Sequence, residues 1–174
     1  MEIPDTMKAV VVTAPGGLEA LTMNSSYPVP KIIGNEQILV KNSFAGLNFI
    51  DTYYRSGLYK QPCPFIAGQE GGGIVVAVGS AVTNIQVGDE VVYIALVGSY
   101  CEYSAIPATK AVKVPPSLGM EKAIACMTQG LTAHYLVTDA TGGQIKKDEW
   151  CLIFSVASGT VSYTHLTLPT ILRV

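Results

Sequence analysis

The chain has 174 residues, of which 49% are hydrophobic and 14% charged, and its net charge is −2. Such a composition excludes a disordered segment and gives no electrostatic reason to expect nucleic acid or an anionic membrane surface. The four cysteines form no Cys-x-x-Cys pair, which argues against a zinc knuckle or a dense disulfide framework and for reduced thiols in the cytoplasm.

The N-terminus lacks the apolar centre of a secretory signal, and no apolar run is long enough to span a membrane. Residues 7–13 (MKAVVVT) form a β-branched run closed by Pro15-Gly16-Gly17, and residues 18–23 suit a hairpin partner. Pro28 and Pro30 mark an extended loop. Residues 37–45 (QILVKNSFA) alternate apolar and polar, as a half-buried strand does.

The stretch that follows carries the chemistry: Asn48, Asp51, Tyr53, Tyr54, Arg55 and Tyr59 crowd behind the strand. Asp51 and Arg55 are four apart and are expected to pair on one helical turn. Tyr54 is read as a packing residue. Pro62 and Pro64 break the chain next. Gly71-Gly72-Gly73 are expected to permit a tight entry to a strand over 74–78, with Glu70 satisfying backbone groups or an arginine. Gly79-Ser80 and Gly88-Asp89 read as turns. Strands are expected over 90–96, 100–106 and 111–114, a spacing that suggests a partly closed β-barrel.

After Pro115-Pro116 the rhythm turns helical, with Ser117 as the expected N-cap and a break near Gly130. Thr141-Gly142-Gly143 would stop it. Residues 150–154 (WCLIF) suit a buried strand of a parallel sheet. Strands, then helix, then buried strand read as a barrel over 7–116 followed by the start of an α/β domain over 117–161.

Five segments carry a resemblance: residues 48–59 (NFIDTYYRSGLY), 64–82 (PFIAGQEGGGIVVAVGSAV), 87–93 (VGDEVVY), 99–107 (SYCEYSAIP) and 129–136 (QGLTAHYL). Over residues 7–155 the chain resembles the zinc-independent, zeta-crystallin-type quinone oxidoreductases of the medium-chain dehydrogenase/reductase superfamily. That resemblance implies a mostly β GroES-like partly closed barrel, followed by the first helix and strand of a truncated Rossmann domain. It implies NADPH as cofactor and a quinone or enone as substrate. It places Asn48, Tyr53 and Tyr59 beside the nicotinamide and the substrate. Gln129 and Thr132 would approach the cofactor ribose and carboxamide, and Ala157 and Gly159 would belong to the glycine-rich turn. Zinc-dependent relatives have a Cys about where Asn48 stands and a His where Gln69 stands. Neither Asn nor Gln is an ordinary zinc ligand, so no metal is expected. His134 reads as a surface or packing group.

The resemblance fades at the end. Only Gly159 of the glycine-rich turn remains, Val161 stands where the family usually has Gly, and no acidic residue follows Glu149. The dinucleotide fold calls for a helix and an acidic residue about twenty positions on. Residues 162–174 (SYTHLTLPTILRV) read as no helix, and Ser162 to Thr170 resembles translated sequencing-adaptor DNA. Residues 162–174 are therefore read as a non-native tail. One consequence is a non-catalytic truncated GroES-like fragment that oxidises no NADPH and exposes its 150–154 run. Full-length relatives dimerise, and the fragment is not expected to form that homodimer. A third possibility, an RNA-binding zeta-crystallin-like protein, is opposed by the absence of a basic stripe.

Overall fold

The computed structural model describes residues 2–31, 34–140, 142, 150, 152 and 158–167. The chain divides into two compact units, Met1–Ile124 and Ala125–Val174.

The first unit is built from two antiparallel sheets. Its strands are β1 (Thr6–Val12), β2 (Leu21–Pro28), β3 (Gln37–Gly46), β4 (Phe65–Ile66), β5 (Glu70–Val78), β6 (Glu90–Ile94), β7 (Tyr103–Pro107) and β8 (Ala111–Lys113). The sheet orders are β2-β1-β4 and β7-β3-β5-β6-β8. The segment after Gly98 stitches one sheet to the other: Val10 donates to the Tyr100 carbonyl at 2.8 Å, and Ala9 bridges Cys101.

Period-two alternation explains why β3 serves two buried clusters at once. Ile38 and Val40 point to one face and join Val75, Val91, Tyr93 and Ile106 in a buried cluster. Leu39, between them, points to the other face and packs with Met7, Ala9, Val11 and Tyr103. Each such aliphatic side chain, once buried, contributes about 1.5–3 kcal/mol. A shift of one residue in β3 would exchange the two faces.

The three glycines do not precede β5 as expected; they lie inside it, with Gly71, Gly72 and Gly73 facing Ala45, Phe44 and Asn42 of β3. The requirement is steric. A side chain on Gly71 would strike the Tyr93 phenol, and one on Gly73 would strike the Lys41 carbonyl. The expected strand over 100–106 begins only at Tyr103, because residues 100–102 are used in bridging the two sheets. Ser117 is not the N-cap. Gly119 takes a positive φ of 77° and the next helix, α2 (Met120–Cys126), starts behind it. A short helix, α1 (Ile50–Ser56), follows β3.

The second unit contains α3 (Thr128–Val137) and α4 (Gly159–Thr167). The helical stretch after Pro116 is thus two helices, α2 and α3, with the break at Met127 rather than near Gly130. The expectation that residues after Ser162 form no helix is corrected: α4 runs to Thr167. Ser158 Oγ accepts from the Val161 N–H at 3.3 Å, a capping contact. Val161 and Thr164 are buried, and the Tyr163 ring lies over Gly130 of α3. Packing here overrides the weak helix propensity of Thr and Val. The strand expected over 150–154 lies outside the described residues except for Trp150 and Leu152, whose side chains are exposed.

Candidate functional site

Chain geometry at the end of β3 brings the aromatic residues together. Gly57 ends α1 in the left-handed region (φ 80°), and its N–H donates to the Tyr54 carbonyl at 3.2 Å. The chain then folds back, and the Tyr59 N–H donates to the Tyr53 carbonyl at 3.1 Å. A left-handed glycine just past a helix end turns the chain back in this way. It lays the Tyr59 ring against Tyr53 (centroids 5.3 Å apart) and against Tyr54 (5.6 Å), while Phe49 meets Tyr53 edge-on at 5.4 Å. Tyr54 also packs on the Val12–Phe65–Ala67 cluster, in line with its reading as a packing residue. Tyr59 and Phe49 remain exposed.

Asn48 is buried. Its side-chain Nδ2 donates to Glu70 Oε1 at 2.7 Å, and its backbone N–H donates to Asp51 Oδ2 at 2.9 Å. The same Asp51 oxygen accepts from the Tyr100 hydroxyl at 2.7 Å. Asp51 therefore does not pair with Arg55. Its carboxylate reaches back to the start of its own helix, as acids of a first turn do. Elsewhere Lys113 forms an ion pair with Asp89, at 2.7 Å. Glu70 thus accepts from the Asn48 amide. Gly46 lies opposite Glu70 in the β3–β5 ladder, and a side chain there would occupy the place of the Glu70 carboxylate.

Burial raises the Asp51 carboxyl above its usual 3.8; the Tyr100 and Asn48 hydrogen bonds pull it down, and the Glu70 charge pushes it up again. The Tyr100 hydroxyl is raised by burial first and then by Asp51. A consequence is testable. Between the unfolded and the raised folded value, the folded state holds more protons, so stability falls as pH rises through that window. Asp51→Asn keeps an oxygen that accepts both bonds but cannot ionise. Urea midpoints measured from about pH 3.5 to neutral should show a shallower decline in Asp51→Asn than in the parent. An unchanged slope would remove the link.

In the second unit, Gln129 and Gly159 are brought together: a Cβ on Gly159 would collide with the Gln129 amide. Thr132 turns its hydroxyl to the Thr128 carbonyl at 2.6 Å. Ala157 lies outside the described residues. A cavity of about 610 Å³ lies in the first unit, lined by Gln69, Ile94, Leu96, Val97, Ser104 and Lys110 among others. Asn48, Tyr53 and Tyr59 do not line it, so this hollow and the polar constellation are separate. The constellation is the better candidate site, because there buried polar atoms are held at fixed positions. Sequence reading missed the Glu70–Asn48 and Tyr100–Asp51 bonds, although Asp51 stands three residues after Asn48, the spacing of a reciprocal cap.

Residues 34–147 match the family described as "Alcohol dehydrogenase GroES-like domain". The chain is 38% identical over 143 residues to a probable quinone oxidoreductase of Schizosaccharomyces pombe, covering 82% of this chain and 41% of that protein. It is 40% identical over 154 residues to the quinone oxidoreductase of Pseudomonas aeruginosa, covering 87% and 46%. The crystal structure of Escherichia coli quinone oxidoreductase complexed with NADPH superposes with a TM-score of 0.85 at 35% identity, covering 94% of this chain and 51% of that one. The chain thus spans less than half the length of these curated relatives. Among the described residues no helix is long and apolar enough to cross a membrane. By its matched domain, its relatives and its fold, the chain belongs to the quinone oxidoreductases of the medium-chain dehydrogenase/reductase superfamily and carries their GroES-like domain.

Proposed function

We propose that the whole protein containing this chain passes reducing equivalents from NADPH to a quinone or an enone, without zinc, in the cytoplasm. The observation that carries the reading is the Tyr53–Tyr59 ring pair, on the segment that follows the buried Asn48. Two phenols give hydrogen-bonding groups at the edge of packed, tilted aromatic rings, which suits a flat conjugated carbonyl compound. The likeness to quinone oxidoreductases supports the same choice.

Bound NADPH would supply the hydride; the protein's part is alignment and exclusion of water. Asn48, Gln129, Thr132, Ala157 and Gly159 are the residues we assign to holding it. One local feature fits a nucleotide: the Gln129 amide lies where only a glycine at 159 leaves room, as close backbone approach requires. On this reading the phenols of Tyr53 and Tyr59 orient the acceptor's oxygen, and no metal polarises it. The donor set supports that, since Asn48 and Gln69 offer amides where zinc needs Cys, His or a carboxylate. Solvent would protonate the reduced acceptor. The family likeness supports a homodimer for the whole protein.

Loss of nicotinamide absorbance in the presence of a simple benzoquinone tests the reading. Tyr53→Phe and Tyr59→Phe should each lower kcat/KM about tenfold, the loss of one hydrogen bond made at the acceptor. Full turnover in the double variant, or none in the parent protein, would dismiss it.

A further inference from the structure

The functional reading leaves Glu70 without a role, yet it is buried to 4% exposure beside the proposed site and meets the Asn48 amide. A carboxylate oxygen accepts. The end of the Asn48 amide facing it must therefore be the NH2 end. Asn48 is itself only 8% exposed, and its Oδ1 has no hydrogen-bond partner among the described residues. We infer that Glu70 is a positioning residue that fixes the polarity of Asn48, so that Asn48 turns its Oδ1 acceptor to the ligand.

This rests on the reading of Asn48 as part of the site, and it narrows it. A simple quinone carries carbonyl acceptors only, and an acceptor cannot bond an acceptor. A reduced nicotinamide nucleotide carries ribose hydroxyls and a carboxamide NH2, all donors. Asn48 Oδ1 is thereby assigned to a donor of the cofactor, and the orientation of the quinone carbonyl falls to the tyrosines. Two further features hold the arrangement. Gly46 leaves the space that the Glu70 carboxylate fills. Asp51 fixes the Asn48 backbone from the other side at 2.9 Å.

A polarity swap tests the inference. Asn48→Asp sets two carboxylates face to face and removes the donor to Glu70. It should raise the KM for NADPH about tenfold or more while leaving the quinone KM within about twofold. Adding Glu70→Gln restores a donor, now on residue 70, and keeps an acceptor toward the ligand. The double variant should return to within about threefold of the parent. Failure of that rescue, or a rise in the quinone KM instead, overturns the positioning role while leaving the quinone reductase reading intact. Should the parent protein show no NADPH–quinone turnover, the side-chain amide of Asn48 can still be followed by NMR in the 174-residue chain. Glu70→Gln should shift those amide protons and speed their exchange, and Gly46→Ala, which displaces the carboxylate, should do the same. Unmoved resonances in both variants would refute the bond itself.

Discussion

Gly73→Ala should destabilise the GroES-like domain by about 4 kcal/mol, near the top of the range for a single substitution. The added methyl would meet the Lys41 carbonyl oxygen and the Asn42 Cα, both backbone atoms of the neighbouring strand. Gly73 pairs with Asn42 in the β3–β5 ladder, beside a register shift between Asn42 and Phe44. A side chain could rotate out of the way; two hydrogen-bonded strands can only separate. Gly72→Ala is the control one residue away. Its methyl would lie 2.9 Å from Met120 Sδ and 3.0 Å from Val92 Cγ1, the ends of side chains that can give. It should cost about 1 kcal/mol, in the ordinary range for a buried contact that can repack. Chemical unfolding of the two variants side by side measures the difference. Equal midpoints would mean that the strands are not as close as the ladder requires. Since whole domains are stable by only about 5–15 kcal/mol, Gly73→Ala should also depress soluble yield.

The same glycines show where sequence reading reached its limit. Alternation in 37–45 was enough to place β3, because Ile38, Leu39 and Val40 each have one face and one core. A run of three glycines carries no alternation, so it resembles a turn; only the Tyr93 phenol and the β3 backbone reveal it as a strand interior. Asp51 illustrates a second limit. Spacing alone allows a bond forward to Arg55 or back to Asn48. The choice was made by Tyr100, 49 residues along the chain. The tyrosine pair was legible as a group, but its contact depends on the left-handed turn at Gly57. Glu70 and Asn48 are 22 residues apart and meet through strand register, which residue identity does not encode locally. The final helix was missed because its support, the Ser158 contact and the packing of Tyr163 over Gly130, is partly tertiary.

Asn42→Ala is the second substitution with a large expected cost, about 3 kcal/mol, because it opens a buried polar network at its hub. Asn42 Nδ2 donates to the Cys101 carbonyl at 2.9 Å and to Ser104 Oγ at 2.9 Å. Its Oδ1 accepts from the Tyr93 hydroxyl at 2.9 Å. Ser104 in turn donates to the Gly98 carbonyl at 2.8 Å. One amide thus connects β3, β6, β7 and the segment that joins the two sheets. Truncation leaves several buried groups unpaired, each worth about 1–3 kcal/mol when stranded, partly relieved by the remaining partners. Tyr93→Phe removes one member only and should cost about 2 kcal/mol. Because both changes break the same bond, the double variant should cost less than the sum by about 1 kcal/mol or more. Exact additivity in urea titrations would show that the two groups act separately. Alkaline pH gives an independent reading. Burial raises the Tyr93 hydroxyl above its ordinary value of 10.0, and the bonds to Ser104 and Asn42 only partly offset this. The folded state therefore keeps a proton that the unfolded chain releases, and stability falls as pH climbs past the unfolded value. Tyr93→Phe has no such proton to hold. Its unfolding midpoint should decline less steeply than the parent's above about pH 10, and that difference identifies Tyr93 as a group whose ionisation the fold resists.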